Sequence, residues 1–190
     1  MAMTIRPPDP PLSDGIVTLR PWGEPGDVEA ITAACNDRAI AEFLDQIPSP
    51  YTEKDARAYI ENSRRGWLQG TLTNFAIVQA GVAVGSLGVR WLDGLDEGTA
   101  EVGYWMAPEA RGRGVCTRAV RLASRWVLEN AGASRLQLRA DEQNVASNKV
   151  AENAGFMREG VLRSSRYNAR LGRRVDFVMY SLLPTDILAP

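Results

Sequence analysis

The chain has 190 residues, of which 45% are hydrophobic and 24% charged, and its formal net charge at pH 7 is −1. This length suits one ordinary domain with a sizeable core, and the near-neutral charge argues against a nucleic-acid-binding protein that relies on bulk electrostatics. The sequence has no apolar run of about 18 residues and no signal-peptide pattern, so we expect a cytoplasmic protein that does not enter a membrane.

Two residue counts restrict the chemistry. The chain has no histidine, so acid–base work must fall to carboxylates, tyrosine, hydroxyls, thiols, amines or water. The two cysteines, Cys35 and Cys116, are too few for a disulfide framework or for a cluster of metal ligands. We therefore expect no metal site.

The first third of the chain predicts an arm, a strand and two helices. Residues 1–14 are rich in proline and have little hydrophobic pattern, which indicates a flexible N-terminal arm. A strand is predicted over 16–21 and a helix over 27–35, where apolar residues recur at helical spacing. Thr52 and Asp55 then have the spacing of a capping box, which predicts a second helix through position 67.

The rest of the chain alternates between strands and helices. Apolar alternation and turn residues predict strands at 75–79, 82–91, 99–106, 135–141, from 156 onward and 175–183. Helical spacing predicts helices at 115–132 and 145–154, and an acidic turn is expected at 93–97. The unit from 99 to 141 implies one parallel strand pair through a right-handed crossover, whereas the strands before it imply an antiparallel meander. The pattern is mixed α/β (α+β), with a short tail at 185–190.

The segment 101–117 is the most informative stretch of the chain. A predicted strand ends at Pro108, a loop with Gly112 and Gly114 follows, and a helix then begins. Glycine lets backbone N–H groups approach a ligand closely and a helix N-terminus carries partial positive charge, so this pattern predicts a phosphate cradle. The Lys-Ser/Thr of the mononucleotide P-loop is missing, and Thr117 stands where the dinucleotide fingerprint needs its third glycine.

The loop Arg111-Gly112-x-Gly114-x-Cys116 resembles the GNAT acetyltransferase superfamily, in particular its RimJ/RimL-like branch. The segments 18–22, 48–56 and 144–156 also resemble ordered motifs of this branch. The likeness covers residues 15–184, which we interpret as one acetyltransferase domain. It implies a GNAT-like fold, in which a central mixed, mostly antiparallel sheet of six to seven strands is splayed at the cofactor site and flanked by about four helices.

The resemblance implies acetyl-CoA as acetyl donor. It places the pyrophosphate on backbone N–H groups of 113–117, and the pantetheine arm between 104–106 and 138–140. The residues expected to bind the cofactor are Tyr104, Trp105, Met106, Arg111, Gly112, Arg113, Gly114, Val115, Cys116, Thr117, Asn144 and Asn148.

Two residues are candidates for acid–base catalysis. Glu101 is proposed as the general base, directly or through a water relay, because strand alternation puts it on one face with Gly103 and Trp105. A tyrosine often serves as general acid in the family, but none lies between Tyr104 and position 167, so Ser147 is the candidate donor to the departing thiolate. Cys116 is interpreted as a small residue tolerated near phosphate rather than as a nucleophile.

The acceptor is expected to be a primary amine that attacks the acetyl thioester directly. At pH 7 a lysine-like amine costs about 4.6 kcal/mol to deprotonate and an α-amine only about 1 kcal/mol. A chain without histidine therefore favours a protein N-terminal α-amine. A small amine, such as an aminoglycoside, a polyamine or an amino acid, and a non-catalytic CoA-binding module remain alternatives. The arginine-rich segment 158–174 is interpreted either as a solvated hairpin or as a contact for acidic acceptors. A homodimer is also expected.

Overall fold

The computed structural model of the chain describes residues 5–44, 46–92 and 98–187. Its strands are β1 (Leu12–Ser13), β2 (Thr18–Pro21), β3 (Leu72–Gln79), β4 (Val82–Trp91), β5 (Thr99–Met106), β6 (Arg135–Asp141), β7 (Met157–Asn168) and β8 (Arg173–Leu182). Its helices are α1 (Asp27–Cys35), α2 (Arg38–Phe43), α3 (Glu53–Gln69), α4 (Val115–Asn130), α5 (Val145–Asn153) and α6 (Pro184–Ile187). A 3-10 turn, Pro108–Ala110, joins β5 to the glycine loop.

The strands form one sheet in the order β1-β2-β3-β4-β5-β6-β8-β7. Every neighbouring pair is antiparallel except β5 and β6, which are parallel. The predicted mixed sheet with one crossover is therefore confirmed. Within the described ranges the sheet has eight strands, where six to seven were expected. The same ranges contain six helices, where about four were expected. The extra elements β1, α2 and α6 are two, six and four residues long, too short for hydrophobic periodicity to reveal them.

The N-terminal segment lies against the domain from Ile5 onward. Leu12 pairs with Leu19 of β2, and Ile5 is 6% exposed in the main core. Asp14 accepts a hydrogen bond of 2.8 Å from Arg118 of α4. Scattered apolar side chains among the prolines therefore place residues 5–14 against the sheet, and the flexibility of this arm stays a prediction. The expected acidic turn at 93–97 and the last three residues of the predicted tail lie outside the described ranges.

Alternate residues of the central strands enter two different cores. On one face, Phe75 and Ile77 of β3 pack in the main core with the apolar side of α4. On the other face, Ala76 packs with Ile31 of α1 and with Tyr59 of α3. The sheet is therefore covered on both faces by helices, and the second face also carries an open cleft.

The parallel pair β5–β6 separates after three residue pairs. The last paired residues are Glu101 and Gln137, yet β5 continues to Met106 and β6 to Asp141. Beyond this point β5 remains paired with β4, and β6 with β8. The result is a fork in the sheet between 102–106 and 138–141, and unpaired backbone groups on the inner edges of a fork can accept an added extended chain.

Candidate active site

The glycine loop and the start of α4 form an open cradle beside the fork. Gly112 and Gly114 have φ angles of 72° and 74°, the left-handed region that glycine adopts without strain. A Cβ on either glycine would meet nothing within 4 Å. Gly114 caps α4 without any side-chain hydrogen bond, and no acidic residue lies in the first turn. The first-turn N–H groups are thus left for a ligand, and their partial positive charge suits a phosphate.

The two loop arginines have different surroundings. Arg111 donates from Nε to the carbonyl oxygen of Met106 at 3.0 Å and from Nη2 to Asp37 Oδ1 at 2.6 Å. This hydrogen bond holds the pKa of Asp37 below its ordinary value. Arg113 is exposed and makes no hydrogen bond or ion pair with the described parts of the chain. Arg111 therefore ties the loop to β5 and α2, whereas Arg113 is the arginine that is available to a phosphate.

Among the predicted site residues next to the loop, Val115 and Met106 pack in the core, whereas Trp105 lines the cleft. Val115 is 1% exposed in the core, so only its backbone N–H is available to a ligand. Burial raises the pKa of Cys116 to about 12, which keeps the thiol protonated at neutral pH and agrees with its interpretation as a small packing residue. Met106 packs in the main core, whereas the Trp105 ring stacks on Trp22 with centroids 6.2 Å apart.

Both predicted asparagines of α5 are already bonded within the protein. Asn144 Oδ1 accepts from the Ser147 N–H at 3.0 Å and caps the helix. Asn148 donates to the carbonyl oxygens of Asp141 and Asn144 at 2.9 and 2.8 Å, and its Oδ1 accepts from the Tyr180 hydroxyl at 2.9 Å. Asn148 thus attaches α5 to the ends of β6 and β8, and one arm of the fork is held in place.

Ser147 has a partner that the sequence did not reveal. Its hydroxyl lies 2.9 Å from the Tyr104 hydroxyl, which also donates to the Ser147 carbonyl oxygen at 3.2 Å. Burial raises the pKa of Tyr104, so this phenol stays protonated at neutral pH. The pair joins β5 to α5 and so spans the two sides of the fork. Because the two residues are 43 positions apart, only the folded chain brings them together.

Glu101 lies where the fork begins. Its Oε1 accepts from Arg90 at 3.1 Å and from Arg139 Nη2 at 3.0 Å, and its Oε2 accepts from Arg139 Nε. The Glu101 carboxylate raises the pKa of Arg139. A carboxylate offers about four lone-pair sites, so three arginine contacts leave room for one more donor.

Glu101 also borders an open cleft of about 380 Å³ on the face covered by α1 and α3. Its walls include the aromatic side chains of Tyr51, Tyr59 and Trp105. Glu101 is the one carboxylate among its described lining residues. The β7–β8 hairpin supports the rim, because Arg170 donates to the carbonyl oxygen of Ile47 at 2.8 Å. The cleft therefore opens on the face covered by α1 and α3, whereas α4, which begins at the cradle, packs in the main core on the other face.

The sequence matches the family model described as "Acetyltransferase (GNAT) domain" over residues 17–157. The chain belongs to this family. As a GNAT acetyltransferase it is an enzyme that takes its acetyl group from acetyl-CoA, and the cradle and the fork fit such a donor. The described residues contain no group of three or more His, Cys, Asp or Glu that could hold a metal ion.

Individual relatives extend the likeness over most of the chain. "Uncharacterized N-acetyltransferase p20" of Bacillus licheniformis is 26% identical over 173 residues, which is 90% of this chain and 94% of that protein. The ribosomal-protein-serine acetyltransferase of Escherichia coli (strain K12) is 24% identical over 116 residues, 61% of this chain and 64% of its own length. The solved structure of RimL, a ribosomal L7/L12 alpha-N-protein acetyltransferase, has a TM-score of 0.79 at 22% identity and shares the fold over 91% of this chain and 96% of its own. Among the described helices, none has the length and apolar character needed to cross a bilayer.

Proposed function

We propose that this enzyme acetylates the α-amine of a protein N-terminus. The observation that carries the proposal is the set of hydrogen bonds that Glu101 accepts. Glu101 is the one carboxylate among the described residues that line the cleft. Arginines bind both of its oxygens, so it has one lone pair to offer to an incoming ammonium group. A carboxylate that is already shared with two arginines suits an amine that is easy to deprotonate.

The difference between amines has a definite size. Near pH 7 an α-amine requires about 1 kcal/mol for deprotonation, against about 4.6 kcal/mol for an ordinary lysine. The cleft is open, which suits the end of a protein chain. Two compared proteins support the same acceptor class, because one is named a ribosomal-protein-serine acetyltransferase and the other an alpha-N-protein acetyltransferase.

The proposed roles follow from the two sides of the fork. Glu101 holds the acceptor ammonium and takes its proton, directly or through water. The donor supplies an activated acetyl thioester, and its phosphates would be held by the N–H groups of 113–117 together with the Arg113 side chain. The Tyr104–Ser147 pair, which spans the fork, would supply the proton that a thiolate leaving group needs. Direct transfer requires no enzyme thiol, in agreement with the raised pKa of Cys116.

An acceptor panel tests this proposal. A lysine-free peptide with a free N-terminus is compared with the same peptide blocked at its N-terminus and carrying one lysine, and with a polyamine and an aminoglycoside. We expect kcat/KM for the free α-amine to exceed that for the lysine by about 100-fold or more, from the difference in deprotonation free energy. Mass spectrometry locates the acetyl group. Turnover of the small amines without turnover of the free N-terminus would contradict the proposal and favour the small-amine alternative.

A matched pair of variants tests the base. Glu101→Gln should lower kcat about 100-fold, the lower end of what a general base contributes. Glu159→Gln is the control, because Glu159 is also paired with an arginine, Arg135, but does not line the cleft. Equal effects of the two substitutions would remove Glu101 from the mechanism.

The homodimer and the cytoplasmic location stay predictions from the sequence.

A further inference from the structure

Helix α2 and two apolar residues that follow it form one wall of the cleft. Leu44 and Ile47 line the cleft. Together with Trp105 they pack against a small buried cluster that contains Ile40 of α2. We call α2, Leu44 and Ile47 the α2 wall. Helix α2 has six residues, well below the length of about 12 residues at which an isolated helix becomes stable, so its position depends on the contacts that hold its two ends.

The first end of α2 is attached to the glycine loop through one carboxylate. Asp37 is the N-cap of the helix, and its Oδ1 accepts from the Ile40 N–H at 3.1 Å. The same oxygen accepts from Nη2 of Arg111, which stands at the start of the glycine loop. Arg111 Nε in turn donates to the carbonyl oxygen of Met106, the last residue of β5. The Arg111 side chain therefore joins α2 to the glycine loop and to one strand of the fork.

The other end of α2 is attached to the β7–β8 hairpin. The Asn168 side chain is 1% exposed, and its Nδ2 donates to the carbonyl oxygen of Glu42 at 2.9 Å. Its Oδ1 accepts from the backbone N–H groups of Arg170 and Leu171, both at 3.0 Å, which fixes the orientation of the amide. The last carbonyl groups of a helix need donors from outside the helix. Asn168 supplies one of them from a part of the chain that is far from the glycine loop.

The two attachments give the α2 wall different neighbours. The Asn168 attachment is buried and connects the wall to a hairpin. The Asp37–Arg111 ion pair is partly exposed, with side-chain exposures of 23% and 36%, and it connects the wall to the loop that is expected to hold the donor phosphates. Movement of the glycine loop is thus transmitted to the wall through the first end of α2.

We propose that Asp37 is a positioning residue for acetyl transfer, which holds the α2 wall to the glycine loop through Arg111 and so couples the acceptor cleft to the donor site. The inference rests on the proposed function, because it takes the cleft as the acceptor site. When the donor has restricted the loop, the acceptor meets a wall with less freedom left to lose, which is a source of positive coupling. The acceptor then raises the donor affinity by the same factor.

Calorimetry with CoA, which has no acetyl group to transfer, measures this coupling without turnover. The Kd of CoA is determined with and without a saturating peptide that has a free N-terminus. We expect the peptide to lower the wild-type Kd about tenfold, within the usual range for coupled sites. In Asp37→Asn this factor should fall to about 1, because asparagine caps a helix as well as aspartate does and only the charge that Arg111 binds is lost.

Asp14→Asn is the matched control. Asp14 also pairs with an arginine near the cradle, Arg118 of α4, and its side chain is 24% exposed against 23% for Asp37, but it does not line the cleft. We expect the acceptor KM to rise about tenfold in Asp37→Asn and to stay within about twofold in Asp14→Asn, with kcat within about threefold in both variants. A merely structural loss of active protein would lower kcat and leave KM unchanged.

A double-mutant cycle assigns the effect to the contact with Arg111. If Asp37 acts through Arg111, then adding Asp37→Asn to Arg111→Met should change the acceptor KM by less than about twofold, because the contact is already absent. A full tenfold increase in the Arg111→Met background would show that Asp37 does not act through the glycine loop. This result would overturn the proposal.

The outcomes separate this inference from the proposed function. A coupling factor that is the same in wild type and Asp37→Asn would overturn the positioning role and leave α-amine acetylation intact. If no peptide is acetylated, the proposed function fails, and the Kd of CoA is measured with the polyamine and the aminoglycoside of the acceptor panel instead. A coupling factor that disappears in Asp37→Asn then supports the positioning role. A factor that persists, or a wild-type factor of about 1 with every amine, overturns it.

Discussion

The starts of α3 and α4 show opposite ways of treating a helix N-terminus. At α3, Thr52 and Asp55 bond each other's backbone N–H groups in a capping box, and Glu53 and Asp55 bring negative charge to the first turn. At α4, Gly114 offers no side-chain cap and the first turn has no acid. A helix whose first N–H groups are satisfied by its own residues has nothing left for a ligand. Helix α4 keeps its first-turn N–H groups and their partial positive charge for an anion.

The start of α1 shows which part of this difference matters. Its cap, Gly26, is left-handed like Gly114, with a φ angle of 89°, and also lacks a side-chain cap. In α1, however, Asp27 is buried in the first turn and accepts from Arg20 and from the N–H groups of Gly23 and Glu24. A glycine cap alone therefore does not define an anion site. What distinguishes α4 is that its first turn contains no acidic side chain.

Removal of the negative charge of Asp27 in α1 should produce the largest effect on stability. Asp27→Asn leaves the Arg20 guanidinium, whose side chain is 13% exposed, with only the exposed carboxylate of Glu24 as a counter-charge. We expect the free energy of unfolding to fall by about 3 kcal/mol, the lower end for breaking a buried ion pair. Urea denaturation measures the change. Glu24→Gln is the matched control, because Glu24 pairs with the same arginine at 3.4 Å but is 63% exposed, and it should cost less than about 1 kcal/mol.

The same variant should change the acid side of the stability profile. Burial alone would raise the pKa of Asp27, but the Arg20 guanidinium and two backbone N–H groups together hold it below its ordinary value. A carboxyl group with a lowered folded-state pKa stabilises the protein above its unfolded pKa, about 3.9, and loses this contribution as the pH falls through the folded value. The difference between wild type and Asp27→Asn should therefore shrink below about pH 4. A difference that stays constant down to pH 2 would contradict the ion-pair explanation.

The next effect concerns binding. Gly114→Glu places a carboxylate where α4 is expected to hold the acetyl-CoA diphosphate, and we expect the Kd for acetyl-CoA to rise at least about 100-fold, or about 2.7 kcal/mol. Isothermal titration calorimetry measures it. Gly26→Glu is the matched control, since it puts the same side chain on a left-handed glycine cap with free space and has a similar backbone cost. If both variants bind acetyl-CoA equally well, the uncapped helix is not the phosphate site.

The elements that the sequence predicted well depend on local signals. The Thr52–Asp55 spacing predicted the capping box that the structure contains, and glycines marked the start of α4. The crossover rule placed β5 beside β6 in parallel, because a strand, a helix and a second strand can pack in few other ways. These features involve residues within a few positions of each other or a general rule of chain handedness.

The parts that the sequence missed depend on contacts between distant residues. Arg111 meets Asp37 across 74 positions, so the loop motif did not reveal the contact between Arg111 and the start of α2, and the phosphate contact of Arg111 stays a prediction. Tyr104 meets Ser147 only after β5 and α5 are placed side by side. No local pattern encodes such pairings.

The smallest effect is expected at the capped helix. Thr52→Ala removes the hydroxyl that accepts from the Asp55 N–H at 3.4 Å, and loss of an N-cap threonine costs about 1 kcal/mol. We expect the urea midpoint to fall accordingly, while the Kd for acetyl-CoA stays within about twofold of wild type. Thr185→Ala, at an exposed threonine of α6, should change stability by less than about 0.5 kcal/mol. A loss of acetyl-CoA affinity in Thr52→Ala equal to that in Gly114→Glu would mean that the two helix starts are not independent. Unchanged affinity with lowered stability would instead assign the α3 cap to folding and the uncapped start of α4 to the ligand.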